Sequence, residues 1–468
     1  MTKRLFLIGF LLLGVYVSYV LSLKDPSLRD GSFERTFIIT FVLYTCAVWL
    51  ILQRQQPSTT RQIILVFVFA IAFRTVLIFS EPALSSDMYR YVWDGRVQAN
   101  GINPYLYPPS APEVAHLRDQ TIWPMINRKG AVTIYPAGAE LAYAAIWRVW
   151  PDNIHWFQTV MAGGDLLAGA LLVALLHALR QNLLTALIYL WSPLVIVEMA
   201  HSAHVDGLVL PLLVGAWLAR VKGRDGLTGL LLGAATAFKL YPILLLPILW
   251  RAHDAEGRFR PVLSTPLAFL AAFLIPYIAY ISAGASVIGF LPDYFKEQSN
   301  PGLAFFISLL AKKVGSNPEQ VILFLLFLTL VAIYFVIFYL RPPADSMTTI
   351  RRCVWPIGAF TLLTQNLFPW YMVWLVPLLA IFLPASSFST QSSIASFPVS
   401  SWTGWWLFCC LISISYPFFV PSEMLGLRVL ASLIQFIPLY VFLIYDFFRW
   451  RWKRTQLQPD LISNREVI

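Results

Sequence analysis

Apolar runs long enough to cross a bilayer recur from the first residues of this chain to residue 448. One helical crossing takes about 20 consecutive apolar residues. Lipid leaves no backbone polar group a water partner, so only helices or a closed barrel can span it. The runs are continuous rather than alternating, which selects helices. Of 468 residues, 58% are apolar and only 12% charged, against about 25% charged in soluble domains. The mean hydropathy is +0.68. The sequence therefore predicts an all-α, polytopic helical membrane protein.

A net charge of +10 could suggest nucleic acid, but its distribution points to no nucleic-acid partner. Lys and Arg gather in the short connectors "RVKGRDG", "RAHDAEGRFR" and "RPPADSMTTIRR" and in the tail "RWRWKR". That is the positive-inside pattern, with membrane lipids and their anionic head groups as partners. Cys46, Cys353, Cys409 and Cys410 lie in or beside apolar segments without disulfide or metal spacing. The start "MTKRLFLIGFLLLG" continues apolar to Leu23 with no small-residue cleavage site, and reads as a retained first span.

With Lys3 and Arg4 inside, spans are expected near 5–23, 36–52 and 62–80, with Arg54 and Arg61 in a cytoplasmic connector. The third span delivers the loop 81–156 to the outer face. Within it, "SSDMYRYVWDGRVQ" suits an amphipathic helix along the membrane, capped by Ser85, Ser86 or Asp87 and ended at Gly101 and "NPY". The patch 133–150 holds Glu140 and Arg148, is short for a span, and reads as a second interfacial helix. Further spans are expected near 157–179, 183–199, 207–221, 262–283, 320–340, 353–368, 371–384, 401–420 and 428–448. The run 226–250 is basic at both ends yet long enough for one crossing only. A hairpin broken at "KLYP" resolves this and points Lys239 toward the outer half of the membrane. The total is about 12–14 transmembrane helices in one domain over 1–448, with a flexible cytoplasmic loop at 386–401 and a basic cytoplasmic tail at 449–468.

Four outer features carry chemistry-bearing side chains. Asp87 either caps its helix, worth about 1 kcal/mol, or serves as general base toward an acceptor hydroxyl. Asp94 follows seven residues on and can share its face. Arg90 and Arg96 suit ion pairs or phosphate contacts. In "HSAHVDG", His201 and His204 have i, i+3 spacing, but no third or fourth ligand is near; a divalent metal is conceivable and not supported, and no cofactor is expected. His204 and Asp206 can instead form a polar wall, or Asp206 can cap the next span. Lys239, followed by Tyr241 in "KLYP", sits in an apolar run where a lysine costs about 2.5–3.5 kcal/mol, which marks it for contact with an anionic group such as a lipid phosphate. Trp370, Tyr371 and Trp374 in "NLFPWYMVW" suit an interfacial belt or a sugar-stacking wall.

The set "SDMYRYVWDGRVQANGINPY", "TIYPAGAELAYA", "HVDG…RVKGRDGLTGLLLGAATAFKLYP" and "NLFPWYMVWLVP" covers most of the chain from about residue 80 to 380. In that order it resembles the GT-C superfamily of polyprenyl-phosphate-sugar-dependent glycosyltransferases. The resemblance implies transfer of a hexose, mannose first, from a polyprenyl-phosphate donor to a lipid or glycan acceptor on the extracytoplasmic face, with inversion. A bacterial inner membrane, its site toward the periplasm or exterior, fits this. On the same basis Asp87 matches the acidic residue that binds or deprotonates the acceptor, Lys239 a basic position near the donor phosphate, and His204 with Asp206 a second polar loop. The family's acidic loop commonly follows the first span and often holds two adjacent acids. Here it follows the third span, and Asp94 or Glu81 would be the second acid. Two other classes remain open: a glycan polymerase or ligase acting on lipid-linked sugars, and a transporter or flippase with Lys239 and Asp206 as midplane charges.

Overall fold

A computed structural model describes residues 1–24, 31–53, 57–254, 256–294, 297, 302–340, 345–384, 399–418 and 425–457. Arg54, nearly all of the 386–401 loop and residues 458–468 of the tail lie outside them. All described elements are helical apart from one isolated bridge between His253 and Phe259.

The first three spans form as expected, Thr2–Lys24, Ser32–Leu52 and Thr60–Ile78. The 81–156 loop carries two helices, Asp87–Ala99 and Ala137–Val149, where the interfacial ones were expected. Ile154–Ala178, Pro318–Leu340 and Val429–Arg449 are again long and apolar enough to cross, as is the kinked Ser264–Tyr294. Of the expected 12–14, seven helices among the described residues are long and apolar enough on their own, or eight with the pair Leu183–Leu190 and Pro193–His201, bent by 57°; other expected spans are shorter or broken helices. The breaks have a local cause. Hydropathy sees unbroken runs where proline, which lacks an N–H and clashes with the preceding turn, ends or re-aims the helix. Pro193, Pro242, Pro247, Pro276 and Pro369 each sit at the start of a short helical piece. The last helix runs through residue 448 to Leu457.

The helices sort lipid-facing from protein-facing surface. Along Pro318–Phe335 only Ile322 is buried, while Leu323, Phe324, Phe327 and Val331 are exposed. Inside, Arg74 meets Asp165 at 2.5 Å with both side chains buried, and Tyr189 also bonds Asp165. An ionic link between the Thr60–Ile78 and Ile154–Ala178 helices survives in an apolar core because each charge has its partner.

The run 226–250 folds as the expected hairpin. One arm is Asp225–Phe238; the chain is extended at Lys239 and returns through Tyr241–Leu245 and Leu246–Leu249. Arg251, past the second arm, pairs with Asp225 at the start of the first. Lys239 thus stands at the apex, at the end of the molecule that carries the 81–156 loop. Gly289 lies in the left-handed region (φ 58), where a Cβ would sit 1.9 Å from the Thr133 carbonyl. The bare backbone lets the Phe290 N–H bond that carbonyl at 3.1 Å and ties the kinked span to the outer loop.

Candidate active site

A cavity of about 540 Å³ opens where the outer loop, the 239–241 apex, the 290–294 turn and the 368–374 segment meet. Asp87, Arg90, Lys239, Tyr241, Trp370 and Tyr371 line it.

Asp87 begins the Asp87–Ala99 helix, but its carboxylate caps nothing; Ser86 holds the cap position without a side-chain bond. Instead the Asn127 amide donates to Asp87 Oδ1 at 2.7 Å. Oδ2 faces His204 Nδ1 at 3.8 Å. Neither Asp94 nor Glu81 partners Asp87. One turn on, the Arg90 Nε donates to both oxygens of Asp94 at 2.9 Å and Nη1 to the Ala131 carbonyl at 2.9 Å. The Arg90 Nη2 is buried and unpartnered. Arg96 points elsewhere, pinning the loop through Asp119 and Asp152 at 2.9 and 2.8 Å.

Lys239 does not offer a bare charge. Its ammonium donates to Asp206 Oδ2 at 2.6 Å, and the Trp374 indole holds Asp206 Oδ1 at 2.6 Å. The ammonium lies 4.8 Å from the Tyr371 ring centre and 5.3 Å from that of Trp374, which add cation–π attraction. Tyr241 stacks on Trp374 at 3.4 Å, and its hydroxyl is buried without a partner.

Three of the expected binding residues lie deeper than the others. Asp94, His204 and Asp206 are buried to within 1% and stand behind the cavity wall rather than in it. The reason is electrostatic: a cation that faces a low-dielectric cavity needs a buried counter-ion, so Asp94 backs Arg90 and Asp206 backs Lys239. The two histidines diverge. His201 Nδ1 lies 2.8 Å from the Ser80 hydroxyl and Nε2 accepts the Ala83 N–H at 3.2 Å, stapling the start of the outer loop. His204 lies between Asp87 and Glu198, stacked on Trp370 at 4.0 Å. Among the described residues no group of three or more His, Cys, Asp or Glu could hold a metal ion.

Several site residues carried no signal in the sequence. Asn127 and Arg128 sit in an irregular stretch, and Arg128 adopts a left-handed φ of 43° while its Nε donates to Glu297 at 2.7 Å. The Tyr294 hydroxyl bonds that of Tyr371. Glu198 is hidden in the apolar-looking "VIVEMAH", and Tyr416 donates to it at 2.7 Å from more than 200 residues away. The far side of the cavity is apolar, with Ile243, Leu244, Leu323 and Leu326.

Residues 134–364 match the family model of Glycosyltransferase family 87. The chain is also similar to alpha-(1->6)-mannopyranosyltransferase A of Mycobacterium tuberculosis, 28% identical over 231 residues, which are 45% of this chain and 41% of that one. It is 31% identical over 140 residues to GPI mannosyltransferase 1 of Eremothecium gossypii, 27% of this chain and 34% of the relative. The matches thus span less than half the length of these curated relatives. The resemblance drawn from the four motifs agrees with these matches: over the matched segments the chain is similar to Glycosyltransferase family 87 and to two mannosyltransferases.

Proposed function

We propose that this chain is a membrane glycosyltransferase that moves a hexose, mannose first, from a polyprenyl-phosphate donor to a hydroxyl of a lipid or glycan acceptor, inverting the anomeric centre. One observation carries the reading: a single cavity joins a hydrogen-bonded carboxylate, two backed cations and an apolar flank. The polyprenyl tail suits the flank of Ile243, Leu244, Leu323 and Leu326. The phosphate suits Lys239 and the free Nη2 of Arg90, and the sugar suits the rings of Trp370 and Tyr371.

The chemistry is one displacement. The acceptor oxygen attacks the anomeric carbon, its proton passes to Asp87 Oδ2, and the bond to the phosphate oxygen breaks. The departing phosphate needs no proton, so one carboxylate suffices where a glycosidase uses two. Charge growing on the phosphate is met by Lys239 and Arg90, fixed in advance by Asp206 and Asp94. The site faces the exterior or periplasm of a bacterial inner membrane in this reading.

The test is transfer of labelled mannose from polyprenyl-phosphate mannose to an alkyl mannoside in proteoliposomes. Wild type should form product, and Asp87→Asn should lose about 10²–10⁴-fold in rate at an unchanged unfolding midpoint. Removing Lys239 alone would strand the buried Asp206, a loss of about 3–5 kcal/mol. The informative variant is therefore Lys239→Gln with Asp206→Asn, which should fold and fail to transfer. Product from another lipid-linked hexose but not mannose would replace the sugar; an active Asp87→Asn would remove the base.

A further inference from the structure

Behind Asp87 lie two groups that the displacement itself does not use. Both ring nitrogens of His204 and Oε2 of Glu198 are buried without an aligned hydrogen bond. Buried polar atoms are almost always satisfied, and each exception calls for an explanation. Here three such atoms share one cluster. His204 Nε2 lies 3.2 Å from Glu198 Oε2, and Nδ1 3.8 Å from Asp87 Oδ2. Each carboxylate has its other oxygen tied away from the ring, Glu198 Oε1 by Tyr416 and Asp87 Oδ1 by Asn127, both at 2.7 Å.

The backbone is shaped to hold this arrangement. Val197–His201 is a π-helical turn, Ala203 takes a left-handed φ of 55°, and the His204 N–H bonds the Glu198 carbonyl at 3.1 Å. π-Turns and strained non-glycine residues gather at functional sites. Stacking on Trp370, itself stacked on Phe368 at 4.5 Å, fixes the plane of the ring.

We propose that Glu198, His204 and Asp87 form a proton relay in which His204 carries the acceptor's proton on from Asp87 and Glu198 balances the charge. The relay rests on the glycosyltransferase reading. The acceptor O–H breaks as the glycosidic bond forms, and Asp87 Oδ2 gains the proton. That bond then breaks and Nδ1–H forms, which restores the Asp87 carboxylate and leaves an imidazolium facing ionised Glu198. When the product leaves, the Nδ1 proton returns through Asp87 to the opened cavity and its solvent, and the ring keeps its other proton on Nε2. The 3.8 Å gap closes by a shift of about 1 Å or through one bridging water. His204 acts through Asp87 and is a positioning residue rather than a catalytic one. The groups facing the relay are Tyr416 on Glu198; Arg128, Tyr91, Tyr135, Tyr143 and Tyr294 near Asp87; and beyond them the paired Asp206 and Lys239.

Three variants separate the relay from a stacking plate in the proteoliposome assay. His204→Phe keeps a ring on Trp370 but has no nitrogen; its kcat should fall about 10²-fold with the donor KM little changed. Its acid limb of rate against pH should be shallower, because one titrating group rather than two remains. His204→Gly should recover with added imidazole. Glu198→Gln keeps an acceptor for Tyr416 and should lower kcat while moving the acid limb. Wild-type kcat and pH profile in His204→Phe and Glu198→Gln would leave the ring a plate and overturn the relay. A raised KM at wild-type kcat would overturn it too. If His204→Phe does not fold, imidazole rescue of His204→Gly decides: no rescue overturns the relay. A wild type without turnover fails the glycosyltransferase reading itself, and needs no variant to be seen.

Discussion

Glu140 lies fully buried in the outer loop, its Oε1 accepting from the Thr133 hydroxyl at 2.6 Å and its Oε2 from the Gln98 amide at 2.9 Å. Burial first, and the neighbouring Asp94 second, push its carboxyl well above the ordinary glutamate range. Asp94 is raised too, by burial first, with the Arg90 guanidinium pulling the other way. Glu140, Asp94 and Thr133 thus form one buried cluster that holds the counter-ion of Arg90 in place. A carboxyl raised in the folded state contributes stability that is complete below its unfolded value and is lost as pH rises through the folded one. Unfolding midpoints of the purified protein should fall as pH rises above the ordinary glutamate range. Glu140→Gln mimics the protonated form and should flatten that fall, by roughly 2–4 °C for each kcal/mol recovered. Parallel slopes in variant and wild type would show that Glu140 does not titrate there.

Helix elements bring Lys239 to the cavity by close backbone contact. Gly229 and Gly233 are one turn apart on Asp225–Phe238, and a Cβ on them would meet the Thr265 and Phe269 carbonyls at 2.0 and 2.3 Å. Small residues at that spacing let membrane helices approach backbone to backbone. Gly233→Val should cost about 1–3 kcal/mol and, six residues before Lys239, lower transfer as well. Gly226→Ala meets only Ser264 at 3.9 Å and should be silent in both assays. Equal stability of the two variants would separate the arm from its neighbour. These elements also mark what the sequence could carry. Lys239 is legible because a charge inside an apolar run has few innocent explanations, and the interfacial helices because their charges interrupt lipid-length runs. Asn127 and Glu198 were not legible: one lies in irregular chain without periodicity, the other in a bent π-turn where hydropathy reads a plain span. Prolines divide several of the expected spans in the same unreadable way, because hydropathy counts apolar side chains and not backbone N–H groups.

Across the whole molecule, charge separates the two ends. The connector that holds Arg251 and Arg258 lies at the other end of the hairpin from its Lys239 apex: Arg251 pairs there with Asp225, and Arg220 donates to the Leu249 carbonyl at 3.0 Å. In the proposed reading these short basic connectors lie in the cytoplasm and the cavity faces outward. Outside the cell soluble nucleotide sugars are not on hand, so the orientation and the lipid-linked donor stand together. Single-cysteine labelling checks both. With Cys46→Ser removing the exposed native thiol, Met125→Cys, at a position 47% exposed in the outer loop, should react with a membrane-impermeant maleimide in intact cells. Arg258→Cys, in the connector at the other end, should react only after permeabilisation. The reverse pattern would turn the cavity to the cytoplasm, where nucleotide sugars are available. It would remove the physical reason to expect a polyprenyl-phosphate donor, while leaving untouched the proposal that Asp87 is the base.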